Sequence, residues 1–351
     1  MTLPENKVKL SVIVPTYKVE AYIEKCIRSL EDQNLPKEEY EIIVINDGSP
    51  DRCREIVEEL QKEFSNIVLI NQENQGVSMA RNNGIQVAKG DYLLMVDPDD
   101  YLVSNCLKER LDSVIEKSLD AGIGSFVFLN ESGNPVYKFN LSNTLNEALT
   151  GIDFFNYYLK GKSSIKLPDR SWGIFFKRDF ILSNKLFYIK DVPYLEDGEF
   201  LYRIYTLALK ADFVAGPFYI ITTRPGSATY GKMVYSEKVK AGFLNSAKNL
   251  RMFQKGFDVG SKGYLFLNQP IIKFLILYLT SFEKSWFSHY LEIRKKIKND
   301  FPYLEYQDAN PFYAKFAKYY NISLVNFYIR YKTNLFLRSF KLKFTNSTNG
   351  D

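Results

Sequence analysis

Short hydrophobic runs alternate with amphipathic segments through the first hundred residues. Runs rich in β-branched side chains predict four buried strands, at residues 10–14, 41–45, 67–71 and 92–96. Apolar positions at helical spacing predict helices at residues 20–30, 51–64 and 78–89, the last closed by Gly90. This alternation predicts an α/β fold, Rossmann-like, with a mostly parallel sheet and helices on both faces.

The pattern is less regular beyond residue 120. Further strands are predicted at residues 121–129, 138–140 and 211–223, and a helix at residues 152–160. From residue 236 onward the pattern is mostly helical. We therefore divide the chain into a sheet domain, residues 1–230, and a mainly helical C-terminal region, residues 231–351.

Polar or turn-forming residues follow each of the four predicted strands. They are Pro15-Thr16-Tyr17, Asn46-Asp47-Gly48, Asn71-Gln72-Glu73 and Asp97-Pro98-Asp99-Asp100. In an open α/β sheet the ligand crevice lies outside the carboxyl ends of the strands. The four clusters are therefore expected to meet at one rim and to line a ligand site.

The composition narrows the chemistry that this site can perform. The single histidine, His289, excludes most Ser-His and Cys-His nucleophile schemes and most His-ligated zinc sites, so acid–base work is expected of carboxylates. Three scattered cysteines, without metal-ligand spacing, fit a reducing cytosol. The N-terminus has no apolar core of a signal peptide.

The net charge of +5 belongs to the C-terminal tail. From residue 311 onward there are seven basic residues and one acidic residue, so the body is near neutral and no nucleic-acid partner is expected. Basic and aromatic residues interleave over residues 315–344. This pattern fits either peripheral contact with an anionic membrane or packing on the first domain or a second subunit, as in a homodimer.

Several rim residues have two interpretations. Asp97, Asp99 and Asp100 could hold Mg²⁺ or Mn²⁺, or could form a turn that caps a helix. Asp47 could accept from a nucleobase or shape a turn. Two further candidates are Arg81, which is either a diphosphate ligand or a surface arginine, and the pair Glu196 and Asp197, which are either a general base or helix-capping acids.

Taken in order, five segments resemble those of glycosyltransferase family 2, which has the GT-A fold. They lie at residues 11–17, 41–49, 74–84, 90–100 and 196–197, within the region 8–230. Each is short, but their order is specific. The family has two aspartates at the end of the second strand, whereas this chain has Asn46 before Asp47.

The resemblance implies a role for each matching residue. Pro15, Thr16, Tyr17, Asp47, Arg81 and Asp97 would bind the nucleotide. Asp99 would be the main ligand of Mn²⁺ or Mg²⁺, with Asp100 in support. Asp197 would be the catalytic base, positioned by Glu196. Arg224 and Ser227 would close over the donor diphosphate, and Trp172 would contact the acceptor.

The resemblance also implies the reaction. An inverting, metal-dependent enzyme would move a sugar from a nucleotide-sugar, expected to be UDP-linked, to a hydroxyl of a glycan or lipid-linked acceptor. Synthesis of a bacterial surface polysaccharide in the cytoplasm, or at the inner face of the membrane, is the expected setting. Two alternatives remain, a nucleotidyltransferase-like enzyme and a non-catalytic nucleotide-sugar-binding subunit.

Overall fold

The computed structural model describes residues 8–334, except 131, 140–144, 146, 161–169, 223–235 and 283–284. The chain forms two compact units, Met1–Met233 and Val234–Asp351. The first contains a mixed sheet flanked by helices on both sides, and the second is helical. The predicted α/β class with a helical C-terminal region is therefore confirmed.

In the described part of the first unit, nine strands form the sheet. They are β1 Leu10–Thr16, β2 Tyr40–Asp47, β3 Ile67–Gln72, β4 Tyr92–Met95, β5 Tyr101–Leu102, β6 Ala121–Leu129, β7 Pro135–Phe139, β8 Ile174–Lys177 and β9 Ala211–Thr222. Their order is β3-β2-β1-β4-β8-β6-β9-β5, with β7 paired to β6. The first four strands are fully parallel, as predicted. β8 then runs antiparallel to both β4 and β6, which makes the sheet mixed.

Among the described residues of the first unit, seven α-helices accompany this sheet. They are α1 Ile23–Glu31, α2 Cys53–Glu63, α3 Val77–Val87, α4 Leu107–Glu116, α5 Gly151–Lys160, α6 Arg178–Ser183 and α7 Glu196–Leu207. The strands β1 and β2 are buried along their whole length. Their β-branched residues suit a strand covered on both faces, which explains why the hydrophobic runs are continuous there.

Gly90 does not close α3, and that prediction is wrong. The helix ends at Val87 with Ala88 as its C-cap. A Cβ atom at Gly90 would lie 2.4 Å from the backbone nitrogen of Ser11. The backbone nitrogen of Gly90 also donates to Ser11 Oγ at 2.8 Å. The glycine is needed because the chain enters β4 in close contact with β1.

The second unit is built from helices α8 Glu237–Gln254, α9 Lys262–Thr280, α10 Tyr290–Ile297, α11 Pro311–Ile322 and α12, residues 324–334. Ser236 and Ser261 cap α8 and α9 through their side chains, in the usual N-cap manner. Among the described helices, only α9 has the length and apolar composition to cross a bilayer. Most of α9 is buried inside the structure, as in the core helix of a folded unit.

Candidate active site

The ends of β1, β2 and β4 lie side by side, because these strands pair in parallel. Tyr17 follows β1, Asp47 ends β2, and Asp97 follows β4 by two residues. The N-terminus of α7 joins them through side-chain contacts. The residues predicted to act together therefore meet at one rim of the sheet.

Arg81 on α3 connects three carboxylates and is 3% exposed. Its Nη2 donates to Asp97 Oδ1 at 3.0 Å, and its Nη1 donates to Glu196 Oε1 and Asp197 Oδ1, each at 3.0 Å. Burial disfavours the charged form, but the carboxylates, Asp197 foremost, hold the pKa of Arg81 well above its usual value. The alternative that Arg81 is a surface arginine is wrong. Binding of a diphosphate by Arg81 stays a prediction.

Asp197 is held by three donors in total. Besides Arg81, the backbone nitrogen of Ser171 donates to Asp197 Oδ2 at 3.0 Å, and Ser171 Oγ donates to Oδ1 at 2.7 Å. These three contacts fix the position of the Asp197 carboxylate, the group predicted to act as a base. No side chain caps α7, whose N-cap residue is Leu195 in the left-handed conformation. Glu196 and Asp197 of its first turn bind side chains of other segments, whereas Glu199 pairs with Arg203 on the same helix.

Glu196 lies beside Asp197 in the first turn of α7 and has a shifted pKa. Burial, followed by the charge of Asp197, raises the pKa of Glu196 to about 7, although Arg81 opposes the shift. Two carboxylates on adjacent residues repel each other when both are charged. Glu196 therefore titrates near neutral pH, beside the side chain of Asp197.

The aspartate-rich turn after β4 is also crowded. Burial raises the pKa of Asp97 to about 6 against the effect of Arg81. Burial, with the charges of Asp97 and Asp99, holds the pKa of Asp100 well above its usual value. Asp100 Oδ1 accepts from the backbone nitrogen of Thr222 at 2.9 Å, which fastens β9 to the turn.

Tyr219 on β9 also supports the aspartate turn that follows β4. Its hydroxyl accepts from the backbone nitrogen of Asp97 at 2.9 Å and hydrogen-bonds to the Asp100 carboxylate. Its ring stacks on Trp172 with centroids 4.7 Å apart and planes 24° from parallel. The guanidinium of Arg170 lies 4.4 Å from the centre of the Trp172 ring. Trp172, the aromatic residue predicted to contact the acceptor, is therefore in direct contact with Tyr219, which supports the aspartate turn.

Asp47 organises the loop that precedes α3. Its carboxylate accepts from Gln72 Nε2 at 2.7 Å and from the backbone nitrogens of Gln75 and Gly76 at 2.8 and 2.9 Å. Gly76 adopts a φ of 88°, in the region that favours glycine. These contacts fit the interpretation that Asp47 shapes a turn. Contact of Asp47 with a nucleobase stays a prediction.

Asn46 stands where the family has the first of two aspartates, and its side chain makes two hydrogen bonds. Asn46 Nδ2 donates to Asn71 Oδ1 at 2.8 Å, and Asn46 Oδ1 accepts from the backbone nitrogen of Ser49 at 3.1 Å. An aspartate could not make the first of these contacts, because it has no N–H donor. Asn46 thus ties β2 to β3 beside the rim.

The other predicted nucleotide residues lie at the end of β1. Pro15 and Thr16 are buried, whereas Tyr17 is 41% exposed and offers a ring face at the rim. The predicted lid residues, Arg224 and Ser227, lie outside the described residues. Ser171 and Tyr219 escaped the sequence prediction. Ser171 adjoins Trp172 in the chain, but nothing in the local pattern marks Tyr219.

A divalent cation fits the aspartate turn only if the substrate completes its ligand shell. Among the described residues, no three His, Cys, Asp or Glu side chains converge as a metal-ligand group. Mg²⁺ and Mn²⁺ often bind one or two carboxylates together with phosphate oxygens. Asp99 is more exposed than Asp100 at this turn. Burial is the main cause of the raised pKa of Asp100, and the charges of Asp97 and Asp99 add to it. A bound cation would relieve that charge crowding.

Comparison with protein families gives one match relevant to this site. Residues 11–183 match the family described as Glycosyl transferase family 2. The matched region contains β1, β2, the aspartate turn and Trp172. It ends before α7, so Glu196 and Asp197 lie outside it.

Named relatives come from several bacteria. An uncharacterized glycosyltransferase, EpsJ, of Bacillus subtilis is 33% identical over 63% of this chain and 62% of its own length. The glycosyltransferase GlyA of Streptococcus pneumoniae is 32% identical over 66% of this chain and 32% of its own length. A poly(ribitol-phosphate) beta-glucosyltransferase of Bacillus spizizenii is 29% identical over 70% and 39%. The chain thus covers less than two thirds of each of these relatives.

Solved structures share the fold. Residues 1–349 of Staphylococcus aureus TarS, crystallised with UDP-GlcNAc, superpose with a TM-score of 0.66 at 20% identity, over 92% of this chain and 90% of that one. The same part of TarS with UDP gives a TM-score of 0.65 over 92% and 89%. At this identity the likeness establishes the GT-A fold, which confirms that expectation.

Proposed function

We propose that this chain, which matches glycosyl transferase family 2 over residues 11–183, is a member of that family and transfers a sugar from a nucleotide-sugar to an acceptor hydroxyl. The proposed donor is UDP-linked, because the two structural neighbours of like fold were crystallised with UDP-GlcNAc and UDP. The proposed acceptor is a glycan or a lipid-linked precursor. A relative that acts on poly(ribitol-phosphate) supports a role in bacterial surface polysaccharide synthesis.

One observation carries the proposal. Arg81 joins Asp97, which follows β4, to Glu196 and Asp197, which begin α7, through contacts of 3.0 Å each. A group-transfer enzyme needs a site that binds the leaving group and, close to it, a base that deprotonates the attacking group. The Arg81 contacts bring the segments that would supply these two functions to one rim.

In the proposed reaction, Asp197 accepts the proton of the acceptor hydroxyl. The hydroxyl oxygen forms a bond to the anomeric carbon as the bond between that carbon and the diphosphate oxygen breaks. The nucleoside diphosphate leaves with the bonding electron pair. A single displacement of this kind inverts the configuration, and no further carboxylate is needed as a nucleophile. Ser171 and Arg81 fix the direction of the Asp197 carboxylate.

We propose Asp99 as the main ligand of Mn²⁺ or Mg²⁺ and Asp100 as its support. When bound, such a cation neutralises negative charge on the departing diphosphate. The chain's own residues orient the donor. Tyr17 offers a ring for the base, Asp97 lies on the ribose side, and Trp172 contacts the acceptor. Asp47 and Arg81 shape the floor of the nucleotide site.

We further place the enzyme in the cytoplasm, at the inner face of the membrane when the acceptor is lipid-linked. Several aromatic residues from the basic, aromatic segment of the sequence are buried in the second unit, among them Phe316, Phe327 and Tyr328. Packing of the helices accounts for these three side chains.

Calorimetry with UDP, GDP and TDP, each with and without Mn²⁺, tests the proposal. We expect UDP to bind in the presence of metal and Asp99→Asn to abolish the metal-dependent part. Asp179→Asn is the matched control, because Asp179 is a strongly exposed aspartate of the same unit. Binding of no nucleotide under any condition would refute the proposal. NMR of the product from a UDP-sugar then checks inversion.

A further inference from the structure

The net positive charge of the chain lies in the second unit. Residues 234–351 contain 19 basic and 8 acidic residues, a net charge of +11, whereas residues 1–233 carry −6. The overall charge of +5 conceals this division. A unit with so large a charge attracts anionic surfaces and repels further copies of itself.

Two large apolar side chains protrude from this unit at the start of α10. Phe287 is 82% exposed and Leu291 is 77% exposed. Phe287 lies in the turn that leads into the helix, where the backbone nitrogen of His289 donates to the carbonyl of Ser285 in the helical manner. Isolated exposed apolar residues are common, but two such residues one turn apart form a patch.

Three basic residues lie on the same side of α10 as Leu291. At 100° per residue, Arg294, Lys295 and Lys298 lie within about 60° of the direction of Leu291, and Phe287 precedes Leu291 by four residues in the turn before the helix. All five side chains are exposed. We call these five residues the α10 face. The buried residues of α10, Ile293 and Ile297, lie on its other side.

The two described acids of this segment, Glu292 and Asp300, are already paired. Glu292 accepts from Lys296 at 2.6 Å, and Asp300 pairs with Lys248 at 2.9 Å. These pairs leave the three basic residues of the face without a neutralising acid among the contacts of the described helix. The face therefore combines apolar side chains with uncompensated positive charge.

Further exposed apolar side chains lie on α12 of the same unit. Trp286 stacks on Tyr328 of α12, with ring centroids 4.7 Å apart and planes 12° from parallel. On that helix Val325 is 39% exposed and Ile329 is 56% exposed. The stacking places the turn before α10 beside α12.

We infer that the α10 face docks the second unit onto an anionic lipid bilayer. Phe287 and Leu291 insert among the lipid headgroups and acyl chains, while Arg294, Lys295 and Lys298 bind lipid phosphates. Apolar and basic side chains on one helical face match the two layers of a membrane surface. A soluble polyanion offers no partner for Phe287 and Leu291, and self-association is opposed by the charge of +11.

This docking is independent of the proposed reaction. It uses residues of the second unit alone, and nucleotide binding involves residues of the first. A protein that failed to bind UDP would still bind vesicles if the docking inference is right. A protein that bound UDP but not vesicles would refute the docking inference alone.

Cosedimentation of the full chain with vesicles tests the inference. We expect binding to vesicles of equal parts phosphatidylglycerol and phosphatidylcholine, and none to phosphatidylcholine alone. Binding should weaken between about 0.1 M and 0.5 M salt, because screening shortens the reach of the charges. The double variant Phe287→Ser/Leu291→Ser should lower the partition coefficient about tenfold or more. The triple variant Arg294→Ser/Lys295→Ser/Lys298→Ser should do the same.

The matched control is Met252→Ser/Val259→Ser. These two residues are 62% and 81% exposed in the same unit, and the control should bind vesicles as the native chain does. Three results would overturn the inference: no binding to anionic vesicles, binding unaffected by Phe287→Ser/Leu291→Ser, or full competition by soluble polyphosphate. A change of oligomeric state on Phe287→Ser/Leu291→Ser, measured by sedimentation velocity without lipid, would identify a contact between copies instead.

Discussion

The hydroxyl of Tyr219 accepts a hydrogen bond from the backbone nitrogen of Asp97 at 2.9 Å. The two residues lie 122 positions apart along the chain. Tyr219 also hydrogen-bonds to Asp100 and stacks on Trp172. One buried tyrosine therefore connects the aspartate turn with the aromatic residue that is expected to meet the acceptor.

We predict that Tyr219→Phe weakens metal-dependent UDP binding about tenfold while it preserves the stacking on Trp172. The substitution leaves the nitrogen of Asp97 without its acceptor and should lower the free energy of unfolding by about 1–3 kcal/mol. Calorimetry and urea unfolding measure the two effects. Tyr92→Phe is the control, because Tyr92 donates to the carbonyl of Val114 at 3.0 Å away from the turn. Equal loss of UDP affinity in both variants would contradict the prediction.

Arg81→Lys should impair the enzyme more than its preserved charge suggests. An ammonium group cannot reproduce the planar contacts of Arg81 with three carboxylates. We expect the free energy of unfolding to fall by about 3–5 kcal/mol, because buried carboxylates lose a partner. Turnover of the UDP-sugar should fall about 100-fold, because the base and the aspartate turn are no longer aligned.

Arg203→Lys provides the comparison for Arg81. Arg203 is buried and binds both oxygens of Glu199 at 2.7 Å in the same unit. Its replacement should reduce stability without a comparable loss of turnover per folded molecule. If the two variants lose turnover equally after correction for folded protein, Arg81 has only a structural role.

Ser171→Ala removes one of three donors to Asp197 and keeps the backbone donor. Loss of a hydrogen bond worth about 1 kcal/mol should reduce kcat about fivefold to tenfold. KM for the donor sugar should stay the same, because Ser171 positions the base and does not bind the nucleotide. Steady-state kinetics separates the two constants. Ser246→Ala, a buried serine of the second unit, should leave both unchanged.

Glu196→Gln should change how stability depends on pH. The pKa of Glu196 is raised from 4.5 to about 7 in the folded chain, so the native state binds more protons than the unfolded state between these values. The contribution of Glu196 to stability is therefore greatest at low pH and falls as pH rises toward 7. Gln imitates the neutral acid. The variant should gain stability relative to the native chain between about pH 5 and pH 8.

Urea unfolding at pH 5 and at pH 8 measures the difference in stability between Glu196→Gln and the native chain. The expected sign is a stability of Glu196→Gln, relative to the native chain, that is higher at pH 8 than at pH 5. A constant difference would mean that Glu196 titrates at its ordinary pKa. Glu109→Gln, on the exposed surface of α4, serves as the reference.

The sequence predicted the framework of the first unit because the framework depends on local pattern. Residues 10–14 and 41–45 read as buried strands, and they are buried along β1 and β2. The polar residues after these strands were expected at one rim because parallel strands end together. The later part was harder, since β8 runs antiparallel to β4 across a long separation in sequence.

By itself the sequence determined the order of strands and helices, the acids at the strand ends and the resemblance to a family. Only the tertiary structure decided which charged groups meet. Arg81 and Glu196 lie 115 residues apart, and nothing near either residue specifies the other. A hydrophobic period encodes the local conformation, whereas a side chain's partner depends on the packing of distant segments. The pairing of Arg81 with its carboxylates, and the support that Tyr219 gives to Asp97, therefore became visible only in the folded chain.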